Sequence, residues 1–150
     1  MTRVKESVAV VIRNTSGEFL VTQRPDDPAD PLAGVWGFPG VTRRDGETAR
    51  AAAHRIGPLK LGVALSVGAR LGERSADRGD HVLRLADYEA SIVEGTPVVP
   101  QSGGSTTEYG TVTQYVAVRF TSDPAVLLEA ARRGSLCAQI FLDAVGGDWR

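Results

Sequence analysis

The sequence predicts a layered domain of α/β or α+β type, and three observations carry that reading. β-branched apolar runs at Ser7–Ile12 and Phe19–Gln23 open the chain. An apolar run that closes on Pro39-Gly40 is followed by an alanine-rich stretch, Ala49–Ala53, so a strand pattern gives way to strong helix formers. After further strand-like segments, two helical stretches close the chain. With 150 residues and 42% hydrophobic content, the chain is long enough for one core and too short for two ordinary domains, so residues 1–150 are read as a single domain.

The elements follow in order. The two opening runs flank Asn14-Thr15-Ser16-Gly17, which reads as the turn of a hairpin. Arg24 to Pro31 holds three prolines and three aspartates and reads as a loop. Its acids suit a solvated, self-capping surface better than a cation site. Leu61–Leu71 resumes strand character, Gly72–Asp80 reads as an exposed loop, and His81–Ile92 as a long strand before the turn Glu94-Gly95-Thr96-Pro97. Gln101–Thr107, rich in serine, glycine and threonine, reads as a mobile loop. Val112–Phe120 is expected as a last strand, and Thr121-Ser122-Asp123-Pro124 as a helix start with a hydroxyl cap. Gly134 separates that helix from a final one, Leu136–Val145, and the tail frays or docks through Trp149. Val8, Val10, Ile12, Leu20, Trp36, Phe38, Val116 and Val118 are expected among the buried or partly buried residues.

Composition excludes several functions. Seventeen basic against 18 acidic residues leave a formal charge of -1, with nothing to steer the chain to nucleic acid or an anionic membrane. No run of 18 apolar residues occurs, and the N-terminus lacks a long apolar segment, so a soluble cytoplasmic protein is expected. The lone Cys137 has no disulfide partner and reads as a small buried hydrophobe.

The densest information lies between Gly34 and Val63. Trp36-Gly37-Phe38-Pro39-Gly40 enters a glycine-assisted turn, Thr48 is a suitable N-cap, and Glu47, Arg55 and Gly62-Val63 follow at set spacings. This stretch resembles a Nudix box, the signature of the Nudix (MutT-like) hydrolase superfamily. Glu47 takes the early acidic position, Arg55 the box arginine, and Gly62-Val63 the closing glycine and aliphatic, with no insertion. Arg24 and the Trp36–Gly40 run match the family's upstream residues. The resemblance implies an α/β/α sandwich around a curved mixed sheet, with the box helix and the C-terminal helices as its covers. Homodimers, frequent in the family, are among the states it allows.

In the same register Val41 stands for the box glycine, and Ile56, Leu59 and Lys60 stand for three glutamates that in the family build most of a Mg²⁺ site. A hard divalent cation needs oxygen ligands, which two aliphatic side chains and an ammonium do not supply. Gly57-Pro58 interrupts the scaffold as well, because proline lacks an N–H and crowds the carbonyl of His54. The helix is expected to end near Ile56. The box therefore reads as a degenerate one, retained as architecture and lost as a metal site, with no metal and no cofactor expected.

Glu47, Arg55 and Gly62 are structural candidates, the first two as a charge-assisted brace between loop and helix. Arg24, Arg43, Arg84 and Lys60 form a candidate basic rim for an anion, and Trp36 offers an apolar face. His81, at a strand start, is a candidate base or sugar contact, and His54 reads as a surface residue or a packing polar group. Glu108, beside Tyr109 and after the Gly/Ser-rich loop, matches the place where some family members carry a loop glutamate, and it is the candidate general base. Three functions follow. The first is a hydrolase acting by a non-standard site on a small nucleotide-like or pyrophosphate-containing metabolite. The others are a non-catalytic domain binding a small anionic or nucleotide-like molecule, and a structural or interaction protein.

Overall fold

The computed structural model describes residues 3–101 and 114–150, and the backbone alone at 106–107 and 110–111. Strand β1 (Arg3–Ile12) is the spine. It pairs in parallel with β6 (His81–Glu94) on one side and antiparallel with β4 (Gly40–Thr42) on the other. The long β5 (Ala64–Asp77) adds antiparallel to β6, giving the order β4-β1-β6-β5 in a mixed sheet. A second sheet runs β3-β2-β9, from β3 (Trp36–Gly37), β2 (Phe19–Gln23) and β9 (Ala117–Thr121). A short β7-β8 pair (Thr106–Thr107 and Gly110–Thr111) stands apart.

The period-2 pattern of β1 sorts its side chains to two cores. Val8, Val10 and Ile12 face helix α1 (Ala49–Ile56) together with Leu20, Ala52, Ala53 and Ile56. Ala9 and Val11 face α2 (Leu128–Arg132) and α3 (Leu136–Ala144), where Phe38 meets Phe19 and Phe141 edge to face and the latter two rings are tilted to each other. Helices thus cover both faces of the sheets, the α/β/α arrangement expected. Trp149 docks on the second core, its indole N–H donating to Asp143 Oδ1 at 3.0 Å. No helix among the described residues is long and apolar enough to cross a membrane.

Four expectations need correction. The opening runs do not form a hairpin: β1 and β2 belong to different sheets and share only a bridge between Arg13 and Phe19, because the parallel β6 and β4 occupy both edges of β1. Gly72–Asp80 is not a loop. β5 continues to Asp77 and only residues 78–80 turn, since backbone pairing with β6 holds a polar sequence extended where no core selects it. The last strand is shorter than expected, beginning at Ala117, and Val116 before it is 56% exposed rather than buried. The following helix opens as a 3₁₀ turn, Pro124–Leu127, capped by the Asp123 carboxylate on the Ala125 N–H rather than by a hydroxyl. The expected mobile loop falls largely outside the described residues.

Candidate functional site

Helix α1 begins as the sequence suggests. Thr48 Oγ1 accepts the Ala51 N–H at 3.1 Å. Glu47 and Arg55 meet in a fork, with Nε to Oε2 at 2.9 Å and Nη2 to Oε1 at 3.0 Å. Arg55 Nη2 also donates to the Thr42 carbonyl at 2.9 Å, and Glu47 Oε1 accepts the Arg44 N–H. The Arg55 guanidinium draws the Glu47 carboxyl below its usual range. With its oxygens so committed, Glu47 ties β4 and the box loop to the helix, a brace rather than a free ligand.

The other end of the helix departs from regular geometry. α1 stops at Ile56, and Gly57–Leu61 forms one wide π turn in which the Gly62 N–H reaches back to the Gly57 carbonyl. Pro58 has no N–H for the α ladder, so a wider turn spares the clash that an unbroken helix would impose. Gly57 is needed for close approach: a Cβ there would lie 2.5 Å from the Val63 carbonyl oxygen. Gly62, with φ of 71°, closes the turn in the left-handed region. The turn decides where Ile56 and Lys60 point. Ile56 is fully buried in the core, and Lys60 is only 6% exposed.

Lys60 is the most unusual charge in the chain. Its Nζ lies 5.2 Å from the centre of the Tyr115 ring. Burial, reinforced by the Arg24 and Arg55 guanidiniums, lowers its pKa to about 8. Tyr115 is itself buried, its hydroxyl accepts the Gly40 N–H at 3.1 Å, and burial pushes its pKa up. Arg24 is held by Asp30 at 3.0 Å. The structure thus brings Lys60, Arg24, Arg55 and Tyr115 together beside the turn that follows Phe38-Pro39. Among the described residues no three His, Cys, Asp or Glu side chains group as a metal site requires. The box positions Ile56, Leu59 and Lys60 do not fit the Mg²⁺ that the family implies.

Other sequence candidates lie elsewhere. Arg43 pairs with Glu6 at 2.9 Å, Glu6 with Arg84 at 3.3 Å, and Arg84 with Glu73 at 3.9 Å, so two members of the expected basic rim form a charge ladder across the sheet. Trp36 packs partly buried against the core and carries the Arg119 guanidinium 4.6 Å above its ring. His81 stands opposite Arg3, at the start of β6, with Asp80 at 2.6 Å. Six strand residues, roughly 20 Å, separate it from Asp87, the β6 residue level with Ala9 and Gly40. It therefore does not join the Lys60 group. Glu108 and Tyr109 lie outside the described residues.

Sequence reading missed two polar members of the interior. Tyr115 sat unnoticed in an apolar run. Asp87 is fully buried on β6, and neither carboxylate oxygen has a hydrogen-bond partner among the described residues. Desolvation pushes its pKa well up. Beside it the buried Cys137 thiol, 3.3 Å from Ser135 Oγ, is raised to about 11 by burial and by the Asp87 charge. A lone acid within Leu85-Ala86-Asp87-Tyr88 was the available signal.

This fold and this helix define a class. A family model described as the NUDIX domain matches residues 3–102, and the chain belongs to that family. The solution structure of the E. coli ORF135 protein is 21% identical, with 95% of this chain and 91% of that one covered and a TM-score of 0.68. The MutT protein from Methanosarcina mazei Go1 is 18% identical, with 97% and 95% covered and a TM-score of 0.69. An ADP-ribose pyrophosphatase from Streptococcus suis 89-1591 is 14% identical, with 97% and 96% covered and a TM-score of 0.60. At these identities the three similarities show the fold alone. No curated protein matches the chain.

Proposed function

We propose that this Nudix-family chain binds a small anionic, nucleotide-like molecule and has lost the family's metal-dependent hydrolysis at the box. The observation that carries the reading is Lys60, a buried ammonium at a box glutamate position, with the Arg24 and Arg55 guanidiniums acting on it. Arg24 and Arg55 already pair with Asp30 and Glu47, and with Lys60 they give this place a basic character that suits a further anion. A phosphate or pyrophosphate group takes the ammonium as a point charge. The Tyr115 ring, already under the ammonium, supplies an aromatic wall at the same place.

The chemistry that Mg²⁺ supplies in the family, charge neutralisation and a hydroxide nucleophile, needs carboxylates. Lys60 replaces only the first of these roles. It holds phosphate charge and generates no nucleophile, which favours binding over turnover. A relocated hydrolase using Glu108 as general base is the rival reading.

Calorimetry with pyrophosphate, ATP and ADP-ribose, the last chosen because of the Streptococcus suis relative, separates the two. Binding that persists in EDTA, yields no product and weakens at least about tenfold in Lys60→Met supports the binding reading. EDTA-insensitive product formation abolished in Glu108→Gln establishes the hydrolase. If none of the three compounds binds, the anion reading fails.

A further inference from the structure

One row across the mixed sheet carries small side chains or none. Gly40 of β4 stands opposite Ala9 of β1, Ala9 opposite Asp87 of β6, and Asp87 opposite Gly72 of β5. The row lies on the face that turns Ala9 and Val11 toward α3. Its two ends differ. A Cβ at Gly72 would lie 2.9 Å from Ile140 Cγ2, so α3 presses on the sheet there. At Gly40 the three atoms nearest to such a Cβ all belong to Val8 and Ala9 of β1, and none to a helix. The next row on the same face, Thr42, Ser7 and Leu85, is only half-buried. The small residues thus form a trough that α3 closes at β5 and that leads outward past β1 and β4.

Asp87 is the only polar side chain of that row. It is fully buried, and neither of its oxygens has a hydrogen-bond partner among the described residues. Its neighbours across the row, Ala9 and Gly72, have no side-chain donor. Along β6, Glu89 is an acid already paired with Arg13 at 3.6 Å, and on α3 the Cys137 thiol is engaged with Ser135 Oγ at 3.3 Å. Buried acids ordinarily have donors. Two acceptor oxygens with none call for a pair of donors from outside the chain.

We propose that Asp87 is a specificity-determining residue of the ligand site, accepting the adjacent ring N–H and NH2 donors of a guanine-like heterocycle that lies over Ser7, Thr42 and Leu85. The inference rests on the anion reading of Lys60 and describes the opposite end of that ligand. The two places adjoin. The Tyr115 hydroxyl, on the ring that faces Lys60, accepts the Gly40 N–H, and the Thr42 carbonyl accepts Arg55. Gly40 and Asp87 are two strand spacings apart, about 10 Å. A molecule with its anion beyond β4 and its heterocycle over β1 spans that interval.

The donor pattern follows from the acid. A carboxylate accepts two parallel N–H bonds, and such bonds favour the ionised form that desolvation opposes. A ring edge with one donor leaves the second oxygen as unmet as it is in the free protein. Leu85 and Ala9 supply an apolar floor, which suits a flat ring.

The test is calorimetry on the intact chain, in EDTA, with GDP, inosine diphosphate and pyrophosphate. Inosine diphosphate differs from GDP only in lacking the 2-amino group. Wild type should bind GDP at least about tenfold more tightly than inosine diphosphate, and Asp87→Asn should reduce that preference to about twofold or less. Pyrophosphate affinity should be the same in both proteins. In wild type alone, the backbone amide resonances of Ser7, Leu85 and Asp87 should move with GDP and stay in place with pyrophosphate, a readout that stands even if Asp87→Asn misfolds. Equal affinity for the two nucleotides, or a preference that survives in Asp87→Asn, overturns the inference; if pyrophosphate still binds, the anion reading survives that result. Failure of all three compounds to bind removes both.

Discussion

The two ends of the box helix have followed opposite courses. At its start Thr48, Glu47 and Arg55 keep a cap and a bidentate brace, whose role is to fasten the Val41–Asp45 loop to the helix. At its end Ile56, Pro58 and Lys60 give core packing, a π turn and a buried ammonium. Structural and catalytic residues that share one motif are thus separable. The brace here joins loop to helix, whereas carboxylates at the far end would serve a cation. Ile56, fully buried, contributes about 2 kcal/mol of apolar burial, and an unpaired carboxylate at its place would cost a comparable amount or more.

The largest expected effect tests the altered end. Lys60 has a folded pKa of about 8 against 10.5 unfolded, so between those values the unfolded chain holds the extra proton. Stability therefore rises with pH across that window, and the penalty is complete below it. The stability difference between wild type and Lys60→Met should move in favour of wild type by on the order of 3 kcal/mol from pH 7.5 to 10.5, read by urea denaturation. Comparison with the variant cancels the opposing titration of Cys137, whose raised pKa costs stability above about pH 9. A gap that is flat with pH would mean that Lys60 is not desolvated as described.

Arg55→Ala tests the retained end. It leaves the largely buried Glu47 carboxylate without its fork and the Thr42 carbonyl without a donor, which should cost about 2 kcal/mol in chemical denaturation. A neutral result would show that the box loop is held by β4 pairing alone. Gly57→Ala probes the junction between the two ends. Its Cβ would meet the Val63 oxygen and Leu65 Cγ at 2.5 and 2.8 Å, so a loss of about 1.5 kcal/mol is expected in a thermal melt. Equal stability would imply that the π turn relaxes readily. Thr48→Ala, which removes only the cap, should cost about 1 kcal/mol, and amide exchange should rise at Ala51 before it rises at Ile56.

The brace was legible because its chemistry is local. Glu47 and Arg55 are eight residues apart on a capped helix, and their spacing sets the fork. The end of α1 at Ile56 was legible too, since proline limits the backbone wherever it occurs. The wide continuation of that helix was settled only by the contacts of Gly57 with Val63 and Leu65 across the turn.

The basic rim shows where sequence reasoning stops. Arg24 and Lys60 come together, whereas Arg43 and Arg84 are held by Glu6, because β1 pairs with both β4 and β6 and brings the acid between them. No sequence spacing encodes that neighbour. His81 was placed by the same strand pairing, at an end of β6 remote from the helix. Asp87 was visible as a letter, but its missing partners are a property of the sheet, the thiol of Cys137 and α3 closing around it.

By itself the sequence determined most of the strands and helices and the cap and brace of the box helix, because composition, turn chemistry and periodicity act over a few residues. Tertiary structure alone decided which charges are buried and which are neutralised at the surface. Desolvation and Coulomb interaction depend on neighbours brought from distant segments, and only the packed sheets and helices set those distances.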